Sequence, residues 1–198
     1  MINSDLVTFA AQYVRGLYAS QFDPRLLYHN LAHTERMTGH AKEIAAYYAL
    51  GKEEDATLIV ACWFHDVGHL TGLPEGHEAR SVTEFNNFCA QQHVDDFFAA
   101  RVRDCIMATR RAHDPGSLPE AIICDADTFN LGTGEFEQTD AALKEEMQLR
   151  TGRIADWDDK ALRLLQSHRY FTEYCQRMLA AGLQKNIELV QARMRISR

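Results

Sequence analysis

A chain of 198 residues, 46% of them hydrophobic, can bury one sizeable core and falls within the range of a single domain. Its formal net charge of -7 works against broad attraction to a nucleic-acid duplex or an anionic membrane surface, while a small charged substrate held by a local cation stays compatible. The opening residues lack a basic segment followed by an apolar run, and the longest apolar stretch, Ala56 to Phe64, is far shorter than the roughly 20 residues that span a bilayer, so the expectation is a cytoplasmic protein.

Apolar residues recur at three- and four-residue spacing almost throughout, and no stretch alternates polar with β-branched residues, so the chain reads as all-α. Helices are predicted at about 4–20, 33–50, 54–67, 76–92, 94–110, 118–130, 135–150, 157–166 and 168–195. Turn signals at Asp23-Pro24, Leu70 to Gly76, His113-Asp114-Pro115-Gly116 and Gly132-Thr133-Gly134 separate them. In the last helix, Ile187, Val190 and Met194 fit either burial within one chain or a homodimer contact. Tyr47, Tyr48, Phe85, Phe88, Phe97, Phe98, Tyr170, Phe171 and Tyr174 lie at helical spacing and read as core. The five cysteines form no CxxC pair and read as reduced thiols, four of them among apolar neighbours.

The third predicted helix is apolar almost all round, from Ala56 to Phe64, and then meets His65-Asp66. A carboxylate at the end of a buried helix is costly unless it is paired, hydrogen-bonded or bound to a cation. A His–Asp hydrogen bond or a helix-end cap would satisfy Asp66, and so would a metal. Six of the 9 histidines (His29, His33, His40, His65, His69, His77) lie in fewer than fifty residues. Imidazole and carboxylate together suit a transition metal. His29 and His33 are four apart, as are His65 and His69, so each pair shares a face if its segment is helical. His40 reads as an ordinary helix histidine, and His93, His113 and His168 as exposed ones.

Four ordered elements carry a resemblance. The spacing His33…His65-Asp66…Asp127 resembles the H…HD…D metal signature of the HD superfamily. Tyr28-His29-Asn30-Leu31-Ala32-His33 is similar to the YHNxxH motif of cyclic nucleotide phosphodiesterases and small bacterial HD phosphohydrolases, and Trp63 to His69 resembles the FHD element of both. His77-Glu78-Ala79-Arg80-Ser81 resembles the bacterial NEERS element with histidine in place of asparagine, and Asp125 to Gly132 resembles the DADxxxLG element. The resemblance implies a single-domain helical bundle over 1–198, its motif-bearing core at about 28–132 and its bundle completed by helices in 135–198.

It further implies that His33, His65, Asp66 and Asp127 hold one divalent ion (Mn, Ni, Co, Fe, Zn or Mg), with a second ion possible across Asp66. Asp125 and Asp127 point in nearly opposite directions on a helix. The family pattern selects Asp127 as ligand and leaves Asp125 as an outer or capping group. His69 and Glu78 are candidates for an outer shell or a second metal. The implied reaction is attack of metal-activated water on a small, nucleotide-like phosphate substrate, with catalytic Asp66 and with His29 as general acid. Arg80, Arg110, Arg111 and Lys144 are the basic residues available for substrate phosphate. A silent metal-binding signalling or scaffold module and a di-iron oxygenase are the alternatives.

Overall fold

The structure, a computed structural model, describes residues 4–110 and 114–196, and among them every regular element is a helix. In chain order these are α1 (Ser4–Ser20), α2 (Leu31–Tyr48), α3 (Lys52–Phe64), α4 (His77–Gln92), α5 (Asp96–Ala108), α6 (Leu118–Asp127), α7 (Phe136–Thr151), α8 (Trp157–Ser167) and α9 (Glu173–Ile196). Two 3-10 segments, Val67–Thr71 and Phe129–Gly132, follow α3 and α6. The architecture is an all-α bundle, as the periodicity requires.

The all-round apolar character of α3 has the expected consequence: every residue from Ala56 to Phe64 is buried. Helices α1, α2, α4, α5 and α6 surround it. Around Phe64 the core continues through Phe85, Phe88, Ile106, Ile122 and Ile123, each such side chain contributing roughly 1.5–3 kcal/mol by leaving water. A second cluster, Leu131, Phe136, Ala161, Leu165 and Val190, joins α7, α8 and α9. Val190 therefore faces inward, whereas Tyr47, Phe97 and Phe171, expected in the core, are exposed. His93 is exposed as expected, but His168 is half-buried, with its Nε2 shut away from solvent. All five cysteines are free, and only Cys89 is not fully buried. No helix among the described residues is long and apolar enough to cross a membrane.

Several helix boundaries differ from the periodic pattern for local reasons. Helix α2 starts at Leu31, because the Asn30 side chain accepts from the His33 backbone N–H at 3.1 Å. The α3 helix ends before Asp66, where the chain tightens into the first 3-10 segment (φ -110°, ψ 0°). Helix α9 starts five residues later than predicted, at Glu173, because Asp125 accepts from the backbone N–H groups of Phe171 and Thr172 just ahead of it.

Candidate metal centre

His33, His65, Asp66 and Asp127 converge, each offering a ligand atom within 4.8 Å of the others. His33 comes from the first turn of α2, His65 and Asp66 from the end of α3, and Asp127 from the last position of α6. The His33 and His65 Nε2 atoms are 3.3 Å apart. His33 Nε2 lies 3.2 Å from Asp127 Oδ1 and 3.4 Å from Asp66 Oδ2, and His65 Nε2 lies 3.2 Å from Asp66 Oδ2 and 3.5 Å from Asp127 Oδ1. The turn through Asp66 is pinned by Ser81, whose hydroxyl donates to the His65 carbonyl at 2.7 Å and accepts from the Gly68 N–H at 2.9 Å. Gly68 permits this approach to α4, since a Cβ there would lie 2.0 Å from the His77 carbonyl oxygen.

The donor set fits a cation. His65 Nδ1 donates to the Cys62 carbonyl at 2.8 Å, so in neutral His65 the lone pair is on Nε2, facing the cluster. Asp66 Oδ2 is buried there without a hydrogen-bond partner. Two imidazole nitrogens and two carboxylates so close together require positive charge among them, supplied by protons or by a metal ion. In protonated form, burial works against His65, yet Asp66 and Asp127 raise its pKa well above the ordinary value; Asp66, against the same burial, is held well below the carboxylate range by His65 and His33. Asp127 keeps 27% of its side chain exposed while His65 keeps none, so the cluster is open on the Asp127 side only.

The other oxygen of Asp66 faces a different group. Its Oδ1 is 3.4 Å from His77 Nε2 and 3.8 Å from His69 Nε2. The rings of His29, His69 and His77 stack at 3.9 and 4.1 Å between centroids. His29 lies just ahead of α2, not on its face, and reaches the cluster because α7 holds it: Nδ1 bonds Glu146 Oε1 at 2.7 Å. Glu146 Oε2 also accepts from the backbone N–H groups of Tyr28 and His29, at 2.9 and 3.0 Å. Burial would raise the Glu146 pKa, but its hydrogen bonds from His29 and Tyr28 bring it down to about 2. Arg150, one turn further along α7, donates to Glu146 Oε1 at 2.8 Å and to His69 Nδ1 at 2.9 Å. A guanidinium only donates, so His69 Nδ1 is the acceptor and its ring proton sits on Nε2. Burial, with His29 beside it, pushes the His69 pKa far down, so this ring is neutral.

The remaining expected residues divide clearly. Glu78 lies 3.7 Å from His77 Nδ1, on the edge of the Oδ1 group. Asp125 turns away from the cluster, as its two-residue offset from Asp127 requires, and takes three hydrogen bonds of 2.6–2.8 Å from Phe171 and Thr172. Arg80 uses its guanidinium on the carbonyls of Gly68, Leu73 and Glu75, which removes it from the basic groups free to meet a phosphate. Arg110 and Lys144 are exposed, and neither lines the cleft beside Asp127. Arg111 and His113 lie outside the described residues. Glu146 and Arg150 had no sequence signal beyond an ordinary four-residue salt-bridge spacing. The cleft beside Asp127, open to solvent, is lined by Tyr28, Arg36, His40, Asn130, Glu135 and Thr139 besides cluster residues.

No curated protein and no solved structure matches the chain. A family model described as "HD domain" matches residues 30–164, a span that takes in all four clustered residues and reaches through α7, where Glu146 lies. The chain therefore belongs to the HD-domain family, within the superfamily of metal-dependent phosphohydrolases.

Proposed function

We propose that this protein is a metal-dependent phosphohydrolase that cleaves a phosphomonoester, phosphodiester or pyrophosphate bond of a small nucleotide-like substrate. His33, His65, Asp66 and Asp127 would hold one divalent ion. The observation that carries this reading is Asp66 Oδ2, a buried carboxylate oxygen without a hydrogen bond that points between two imidazole nitrogens. A divalent ion there lowers the pKa of bound water and polarises a phosphoryl oxygen.

The chain's own residues do the rest. His29 donates Nδ1–H to Glu146, so as an imidazolium it holds its second proton on Nε2, and passing that proton to the leaving oxygen returns the ring to its neutral form. Glu146 also accepts from the His29 backbone N–H, so the ring and the chain carrying it are fixed by one buried carboxylate. His69 carries its ring proton on Nε2, which is buried without a hydrogen-bond partner 3.8 Å from Asp66 Oδ1. The same proton weighs against the di-iron reading, because with Nδ1 accepting from Arg150 this ring has no lone pair for a second metal.

Metal analysis of purified protein is expected to show about one transition-metal ion per chain, lost in His65→Ala. Hydrolysis of bis-p-nitrophenyl phosphate with Mn, Ni or Co is expected to disappear in Asp66→Ala. His29→Ala is expected to slow turnover while metal content stays the same; loss of metal in that variant would make His29 a ligand. A metal-loaded protein that turns over nothing across a broad nucleotide panel would be the silent scaffold instead.

A further inference from the structure

The cleft beside Asp127 is built from one face of α2, on which His33, Arg36 and His40 recur at three- and four-residue intervals, and from the segment after α6 that carries Asn130 and Glu135. Arg36 is its single arginine or lysine. The other arginines close to the cluster are already engaged: Arg80 by three backbone carbonyls, and Arg150 by Glu146, His69 and the Gly72 carbonyl. Arg36 is exposed, and makes no hydrogen bond or ion pair to any described residue. It stands three residues from His33, so its Cα is roughly 5 Å further along the helix axis. It lines the cleft together with Tyr28 and His40.

The Tyr28 and His40 rings that line the cleft already have aromatic partners, and its single arginine does not have an acidic one among the described residues. The His40 ring already lies flat on Phe129, with centroids 4.0 Å apart and planes at 9°. Tyr28 packs against both His29 and His33. An anionic group entering the cleft would find a guanidinium that no described residue pairs.

We propose that Arg36 forms an anion subsite, so that the substrate carries a second phosphate or carboxylate beside the phosphoryl group held at the metal centre. The proposal rests on the phosphohydrolase reading and narrows its substrate to a compact bis-anion, such as a diphosphate or a phosphorylated acid.

The test uses two unreactive probes that differ by one anionic group, methylphosphonate and phosphonoacetate, titrated calorimetrically into the Mn-loaded protein. Metal content is checked after each titration. Wild type is expected to bind phosphonoacetate about tenfold tighter, the worth of one charge-assisted hydrogen bond. Arg36→Gln should bring the two affinities together, with methylphosphonate binding and metal content unchanged, and Arg36→Lys should restore part of the difference. A wild type without preference, or an Arg36→Gln variant that keeps it, overturns the subsite while leaving the phosphohydrolase reading intact. Failure of methylphosphonate to bind Mn-loaded wild type at all would overturn both.

Discussion

Replacing Glu146 by Gln tests how the site is positioned, because nearly the same shape then has the wrong hydrogen-bonding pattern. Four donors converge on this carboxylate: the backbone N–H groups of Tyr28 and His29 on Oε2, and His29 Nδ1 and Arg150 Nη1 on Oε1. Glutamine offers one oxygen and a donating NH2, so whichever way it turns, two donors lose their acceptor at a side chain with 0% exposure. At about 1–3 kcal/mol for each unsatisfied buried donor, the loss is about 2–6 kcal/mol. The depression of the Glu146 pKa from 4.5 to about 2 gives a second figure, about 3 kcal/mol. Because the folded pKa is the lower one, this stabilisation is fully present above pH 4.5 and is lost as pH falls toward 2. Urea denaturation of both proteins should therefore show the full gap at pH 7 and a narrower one below pH 4.5. Turnover should fall about a hundredfold, since His29 loses its fixed ring orientation, while metal content holds. A stability gap under about 1 kcal/mol at pH 7, or one that stays constant down to pH 3, would refute the reasoning.

The two aspartates of the Asp125-Ala126-Asp127 run should separate cleanly. Asp127→Ala is expected to lose metal, and Asp125→Ala to keep metal in its folded fraction while losing about 3 kcal/mol or more from three orphaned donors, as metal analysis beside denaturation would show. Gly68→Ala drives a methyl group into the backbone of α4 and should cost about 2 kcal/mol together with metal affinity, because the displaced turn carries Asp66; unchanged melting and metal content would contradict this. In the metal-free protein, His33 and His65 gain their protons against burial, through Asp127 and Asp66, and their pKa values are raised. Their ion pairs stabilise the metal-free fold below the ordinary histidine pKa and fade as pH rises through the raised values, so metal affinity should climb over that same range. Calorimetry in buffers of different ionisation heat should record proton release on metal binding at pH 7, and its absence would argue against a protonated cluster.

What could be read from the sequence followed from period and from chemical necessity. The all-round apolar run ending in Asp66 demanded a buried helix, which is present, and a partner for the carboxylate, beside which the structure sets two imidazole nitrogens at 3.2 and 3.4 Å. The two-residue offset of Asp125 from Asp127 required opposite directions, which the structure has. Pairing by helical spacing failed at His29, because Asn30 caps α2 and leaves His29 outside it. Arg80 looked available because a sequence shows a charge but not the carbonyls of Gly68, Leu73 and Glu75 that surround it. Glu146 and Arg150 were hidden for the opposite reason. A Glu–Arg pair four residues apart is an ordinary surface feature of helices, and only the packing of α7 over His29 and His69 buries it.

That burial also explains why neighbouring histidines with the same chemistry differ in role. A neutral imidazole can coordinate only through the nitrogen without a proton, so the partner of the opposite nitrogen decides its availability. In His65, Nδ1 faces the Cys62 carbonyl, in His77 the Pro74 carbonyl, and in His29 the ionised Glu146; all three partners accept, so in the neutral ring the lone pair is on Nε2, and a second proton, when the ring takes one, sits there. In His69 the partner is Arg150, which donates, and the proton is forced onto Nε2. Arg150 thus takes one imidazole out of the donor set on the Oδ1 side of Asp66, while Glu146, on the same face of α7, leaves His29 Nε2 as the nitrogen able to take up and give a proton there. An Arg150→Gln variant, whose amide can either donate to or accept from Nδ1, should release His69 to either tautomer. The two-bond 15N–1H correlations of its ring, assigned with His69→Gln, should then move away from the single Nε2–H pattern expected of the wild type. A wild-type His69 protonated on Nδ1 would end this account of α7.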